Sequence, residues 1–398
     1  IGDFGSQFGR TTAYGYVGAS GDNSTKNNSV VWRIRTTDAG VGTLLISPNK
    51  RSGYNATTYP AVMRDFGYNN ESYPGAFAPW TGKGMAGGDG DGYSKSFRDV
   101  KVLGGVTAGM RLDHMFYQCS VVNADMTQLK VTDTTTSIQQ MFLNTLIKSV
   151  RFSSDVAVTT DGAAVPEGVN FKTGTNGNFK AGGVTGINAF ASCTSLETVI
   201  LKDALNGRWA QYHWMFVGNP NIRTVNIQNC WNIYGVYLRS MFQNCGLSTE
   251  ALAAGSIVIL NNVGKASEVS CGEMFRNFGS LRTVQATNFN TGTNGSQGLD
   301  QTFAECPSLT NVTLTNVGSG GRIFMNQMFY QSGTSNSTIP ANTTANWTFT
   351  NVGSNGAIIN QWCQNAMTST RFSAANFSWK DSHTGAARGT NYIFDGFG

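Results

Sequence analysis

Seven cysteines, three histidines and two dense groups of aromatic rings are the side chains in this 398-residue chain with the most chemistry to offer. The cysteines stand at 119, 193, 230, 245, 271, 306 and 363, and no Cys-x-x-Cys pair occurs, so the usual spacing of a zinc site or a redox pair is missing. Cys119, Cys193, Cys245 and Cys306 each follow a phenylalanine by three residues. That repeated offset predicts small buried thiols filling one recurring slot, not disulfide partners. His114 and His213 stand one and two positions before a Met-Phe dipeptide and His383 stands apart, which makes them repeat-edge residues, not bases beside a nucleophile. Gly88-Asp89-Gly90-Asp91-Gly92 begins like a calcium loop but lacks the closing Glu of an EF-hand, and it reads as a loop. Paired carboxylates for glycosidic cleavage assemble in space, and no acid here is singled out by a motif. The expectation is therefore no catalytic residue, no metal and no cofactor.

The aromatic groups are the sharpest local feature. Trp209, Tyr212 and Trp214, then Trp231, Tyr234 and Tyr237, occupy comparable places in two successive repeats. Side by side, these rings would form a binding platform for sugar faces or for another protein, since Trp and Tyr join a large apolar area to a polar handle. Ordinary packing between repeats is the competing reading.

The elements that must position these residues show as a repeat. A Met-Phe-x-x-Cys signature and its variants place a phenylalanine at Phe116, Phe142, Phe190, Phe216, Phe242, Phe275, Phe303 and Phe329. Four of the seven steps between them are 26 residues, and the others are longer. Degenerate further copies fit at Gln361-Trp362 and Ile393-Phe394. After the signature comes an alternating apolar stretch, such as Ile222-x-x-Val225-x-Ile227 or Leu309-x-x-Val312-x-Leu314, with the Val nine residues beyond the Phe. Period-two alternation predicts a strand with one buried face. Where the strand arrives late, as at Ile257 to Leu260, the extra residues lie between signature and strand. A unit of this size cannot bury its own apolar face, so stacking of units into one continuous core is expected, with the eight phenylalanines as its repeat core.

Asparagine recurs beyond the strand at Asn229, Asn262, Asn288, Asn316 and Asn351, with Asp133 and Asp203 at comparable places. Stacked in register, these predict an Asn ladder that accepts hydrogen bonds from backbone amides where the chain leaves the strand. A polar binding row is the competing reading.

The unit resembles the BspA-like leucine-rich repeats, the lipoprotein-type repeats of bacterial surface proteins also found in phage structural proteins. Phe190 to Leu201 and Phe303 to Asn316 match best, including Cys193-x-x-Leu196 and Cys306-x-x-Leu309. Thr145, Asn219, Phe278 and Ser332 depart from it by replacing the Cys. The resemblance implies a mainly β fold with short helical or turn segments. It would be a leucine-rich-repeat solenoid of parallel strands over residues 106–398, preceded by a β-rich N-terminal cap or attachment domain over residues 1–105. In the latter, Val30 to Arg35 and Gly42 to Ile46 are the best strands, and Trp32 to Tyr54 resembles the small β module preceding such repeats in some surface and phage proteins.

Composition narrows the function. Only 13% of residues are charged, against about 25% in an ordinary soluble domain. The net charge of +5 comes without a basic run, so no nucleic-acid partner is expected, and no apolar stretch is long enough for a membrane span. The chain opens at Ile1 without a leader-like segment, so either a leader was removed or the chain begins within a longer product. Low charge, Gly/Asn/Thr richness and a β cap on a repeat array resemble phage tail-fibre, baseplate and capsid-decorating proteins. The expected protein is a non-enzymatic structural or adhesive component of a virion surface, extracellular, a homo-oligomer or part of a larger assembly. Its partners would be neighbouring virion or surface proteins and a host glycan or receptor. A bacterial cell-surface adhesin of the BspA-like type is the alternative, and a polysaccharide-degrading enzyme ranks third.

Overall fold

The computed structural model describes residues 10–16, 30–36, 42–48, 61, 63, 80, 95–109, 111–130, 137–151, 169–172, 185–202, 210–230, 236–264, 269–290, 298–318, 324–333, 345–352, 357–359, 370–375, 379–381 and 387–388. The chain is mostly β with parallel strands, and it divides into two compact units, residues 1–195 and 196–398. The Gly88 to Gly92 loop, His383, Cys363, Asp133, Asp203 and the repeat copies at 361 and 393 lie outside the described residues.

The first unit holds β1 (Arg10–Tyr16), β2 (Val30–Thr36), β3 (Gly42–Pro48), β4 (Asp99–Val102), β5 (Val106–Thr107), β6 (Asn123–Asp125), β7 (Leu129–Lys130), β8 (Ser149–Arg151) and β9 (Val169–Lys172). Its main sheet runs β1-β2-β3-β4-β6-β8-β9. The first three strands pair antiparallel, and every later pair is parallel, beginning with β3 on β4. The parallel arrangement thus starts inside the segment that lacks the repeat signature. β5 and β7 form a second short parallel pair.

The second unit holds β10 (Thr198–Lys202), β11 (Ala210–Gln211), β12 (Thr224–Cys230), β13 (Val236–Tyr237), helix α1 (Thr249–Ala254), β14 (Ser256–Val263), β15 (Val269–Ser270), β16 (Leu281–Phe289), β17 (Asn311–Thr315), β18 (Ala345–Thr350), β19 (Ala357–Ile359), β20 (Thr370–Ala375), β21 (Trp379–Asp381) and β22 (Ala387–Arg388). The main sheet runs β10-β12-β14-β16-β17-β18-β20 and is parallel throughout. Its register puts Val199, Val225, Val258, Val284, Val312 and Trp347 in one row and Leu201, Ile227, Leu260, Ala286, Leu314 and Phe349 in the next. All twelve side chains are buried. Alternation of the apolar residues holds this register even where the strand arrives late, as at Val258 and Trp347, since a slip of one residue would turn each apolar row to the opposite face.

Each unit also has a column of stacked rings. In the first, Trp80, Phe116, Phe142 and Phe190 follow one another with centroids 6.1, 4.9 and 5.1 Å apart. In the second, Phe216, Phe242, Phe275, Phe303 and Phe329 follow at 5.0, 5.2, 5.4 and 5.5 Å. All are buried. Trp80 carries no signature around it, yet it ends the first column. Its indole N–H donates to the Met115 carbonyl at 2.8 Å, and its ring meets Trp32 edge-on at 5.8 Å.

Candidate functional site

The signature segments, which carry the eight repeat-core phenylalanines, share one backbone geometry. The residues two before and two after each signature Phe have a positive φ: His114 and Gln118, Gln140 and Asn144, Asn188 and Ser192, Trp214 and Gly218, Ser240 and Asn244, Glu273 and Asn277, Gln301 and Glu305, Gln327 and Gln331. Amides alternate in their use. Those of Phe116, Phe142, Phe242, Phe275 and Phe303 donate to the next copy, at Met141, Ala189, Met274, Thr302 and Met328. Amides one residue to either side close turns within their own copy, as from Met241 to Leu238 and Gln243 to Ser240. The signature is therefore a hydrogen-bonded ladder between copies, and the left-handed residues two before and two after each Phe let it turn while staying bonded.

Side chains follow the same logic. Along the Phe−2 row, His114 Nε2 meets Gln140 Oε1 at 2.9 Å and Gln301 Nε2 donates to Gln327 Oε1 at 2.6 Å; along the Phe+2 row, Asn277 Nδ2 donates to Asn244 Oδ1 at 2.8 Å. At the strand ends Asn262 donates to Asn229, Asn288 to Asn262, Asn316 to Asn288 and Asn351 to Asn316, at 2.9, 2.9, 3.0 and 2.9 Å. All five have a φ between 52 and 55°. The ladder's bonds run amide to amide, and this corrects the expectation that the side chains would accept from backbone N–H groups. With the backbone left-handed at these positions, each amide faces its counterpart in the next copy.

The cysteines hold a carbonyl. Cys193, Cys245 and Cys306 donate through Sγ to the carbonyls of Phe142, Phe216 and Phe275, each in the preceding copy, at 3.2, 3.1 and 3.2 Å. Ser332, at the same repeat position, donates through its hydroxyl to Phe303. Thr145 and Asn219 donate instead to Phe142 and Phe216 of their own copy, at 2.9 and 2.7 Å. Three of the four departures from Cys are thus donors too, and the fourth, Phe278, packs its ring against Phe275 at 6.4 Å. Burial pushes the thiols of Cys193, Cys245 and Cys306 up to about 12, and raises those of Cys119 and Cys271 as well. A thiol so far from ionisation is a poor nucleophile. No group of His, Cys, Asp and Glu arranged to hold a metal occurs among the described residues.

Two acids, Asp113 buried and Asp300 half-buried, were not marked by the sequence pattern. Asp113 is fully buried and takes Nε and Nη2 of Arg111 at 2.8 and 2.6 Å, the hydroxyl of Ser137, and the Gln139 amide at 2.9 Å. Asp300 takes the Asn326 amide at 2.7 Å; burial raises its pKa above the ordinary carboxyl value, against the lowering effect of the Asn326 bonds. Both stand three residues before a signature Phe and bind the amide at that position in the next copy. The signal lay in that shared offset, but two instances among eight copies do not stand out.

The aromatic candidates separate. Tyr212 is 1% exposed, and burial raises its phenol pKa. It belongs to the core beside Cys230, not to an exposed platform. Trp214 is 42% exposed and Tyr237 is half-buried, and the imidazole of His213 lies between them, 5.7 Å from the Trp214 ring and 5.6 Å from that of Tyr237. Trp209, Trp231 and Tyr234 lie outside the described residues. His213 has its pKa lowered, first by burial and then by the charge of Arg239. Arg239 accepts the Trp214 amide on its carbonyl at 3.3 Å and opens a row of alternating charge. Its guanidinium meets Glu273 at 2.7 Å, Arg276 meets Glu273 at 3.5 Å, and Arg276 meets Glu305 at 2.7 Å.

Comparison with models of known protein families, with curated proteins and with solved structures returned no match. No helix among the described residues is long and apolar enough to cross a membrane.

Proposed function

We propose that this chain is a non-enzymatic structural and adhesive protein of a virion surface, of tail-fibre, baseplate or capsid-decoration type. In this reading the repeats from residue 106 onward are turns of a leucine-rich-repeat solenoid, the first 105 residues cap or attach it, and exposed side chains on the turns meet a host surface or neighbouring subunits. The observation that carries the reading is that successive copies are joined along their signature backbones, their ring columns and their amide rows. Such joining makes a stiff scaffold whose surface can vary without loss of the core. Low charge density and abundant Gly, Asn and Thr support an extracellular place for it.

The resemblance of Phe190 to Leu201 and Phe303 to Asn316 to BspA-like repeats favours a second reading, a bacterial cell-surface adhesin. Immunogold labelling with antibody to this chain separates the two: gold on particles supports the first and gold confined to cell envelopes the second. Release of reducing ends from host polysaccharide by the purified chain would contradict both.

A further inference from the structure

Trp214 breaks the rule of its own row. The seven equivalent residues two before a signature Phe are His114, Gln140, Asn188, Ser240, Glu273, Gln301 and Gln327, all of them polar. Trp214 has the same left-handed backbone, with φ at 55°, a conformation that bulky side chains rarely adopt. It is also one of only two large apolar side chains exposed among the described residues. Neither backbone preference nor burial accounts for an indole here, so the reason for it lies in what meets its open face.

The surroundings specify the occupant. The His213 imidazole lies beside the indole and the Tyr237 ring lies beyond the imidazole, and the lowered pKa of His213 favours its neutral form. Arg239 and Arg276 are matched by Glu273 and Glu305, so the adjoining row offers charged hydrogen-bonding groups with no net charge. A polyanion would find no excess of positive charge. A neutral sugar ring meets each requirement: the weakly positive C–H bonds of its face suit the electron-rich face of an indole, and its rim of hydroxyls suits guanidinium donors and carboxylate acceptors.

We propose that Trp214, with His213, Tyr237 and the Arg239 and Glu273 pair, forms a binding site for a neutral pyranose. This deepens the adhesive reading and rests on it. The test applies the full chain to a printed array of neutral and acidic glycans, with the wild type beside Trp214→Asn. Asparagine occupies this row at Asn188 with φ at 55°, so the variant keeps the backbone and removes only the ring. The expected result is wild-type binding to neutral glycans that falls at least tenfold in Trp214→Asn, with Tm unchanged or higher. Wild-type binding to no neutral glycan, binding to acidic glycans alone, or equal binding by the variant would overturn the site. A silent array combined with gold-labelled particles removes the sugar site and leaves the virion reading standing. A positive array combined with unlabelled particles does the reverse.

Discussion

Replacing Cys306 by Ser is expected to change stability by less than about 1 kcal/mol, because Ser332 already performs the same bond to a Phe carbonyl. Cys306→Val keeps the volume and loses the donor, leaving the Phe275 carbonyl short of a partner at about 1–3 kcal/mol. Urea midpoints of the two variants check this, and a serine variant as weak as the valine one would show that shape matters there more than the bond. Asn288 tests the ladder in the same way. Asn288→Gly keeps the left-handed backbone and loses two side-chain bonds, about 1–2 kcal/mol; Asn288→Ala adds about 1 kcal/mol of left-handed strain. Two titrations act in opposite directions. His213 has a depressed pKa, so its contribution to stability is complete above the ordinary imidazole value and is lost as pH falls through the folded value. Asp300 has a raised pKa, so its contribution is complete below the ordinary carboxyl value and is lost as pH rises through the folded one. His213→Gln is expected to flatten the weakly acidic limb of a stability profile measured by urea unfolding, and a profile that overlays the wild type would remove His213 from that limb.

The insertion before β14 shows how an element is added without disturbing the register. Helix α1 begins at Ser248, whose hydroxyl accepts the Ala251 amide at 3.1 Å, and ends at Gly255 with φ at 76°. Arg282, at the start of β16 in the next copy, donates through Nη2 to the Leu252 and Ala253 carbonyls at 3.1 Å each. The helix's last carbonyls thus find a cation, as the end of a helix favours. Ser248→Ala is expected to cost about 1 kcal/mol in urea unfolding. Hydrogen exchange in that variant is expected to speed in 249–255 while β14 and β16 stay protected, and equal loss of protection in the strands would show that the helix supports the sheet. Close approach limits sequence elsewhere: a Cβ on Gly298 would fall 1.7 Å from the Phe324 carbonyl oxygen, so this rung of the ladder admits only glycine without a shift of the backbone.

Across the molecule, what could be read in advance was whatever repeats in apolar side chains. The strands carrying Val225 and Ile227, or Val312 and Leu314, lie where period-two alternation puts them, and the residues added before β14 fall between signature and strand. Backbone handedness was hidden because His, Gln, Asn, Ser and Glu alternate in the left-handed positions with no single residue type to mark them. The role of the Cys position was hidden for the opposite reason. Its Thr, Asn and Ser substitutes look like losses of a pattern until the shared donor function is seen in space. Trp80 stands outside any repeat, and only the fold brings it onto the first ring column. Of the aromatic candidates, type and spacing alone could not tell Tyr212, turned inward, from Trp214, turned outward, two residues away on the same segment.

The claim beneath all of this is that equivalent side chains of successive copies touch and depend on one another. A double-mutant cycle on Phe242 and Phe275, adjacent rings 5.2 Å apart, measured beside one on Phe216 and Phe303, which have those two rings between them, tests it most directly. With Phe→Leu changes and urea unfolding, the adjacent pair is expected to couple by about 0.5 kcal/mol or more and the separated pair to add within about 0.3–0.5 kcal/mol. Equal coupling in the two cycles, or none in the adjacent one, would contradict a column of contact running from copy to copy.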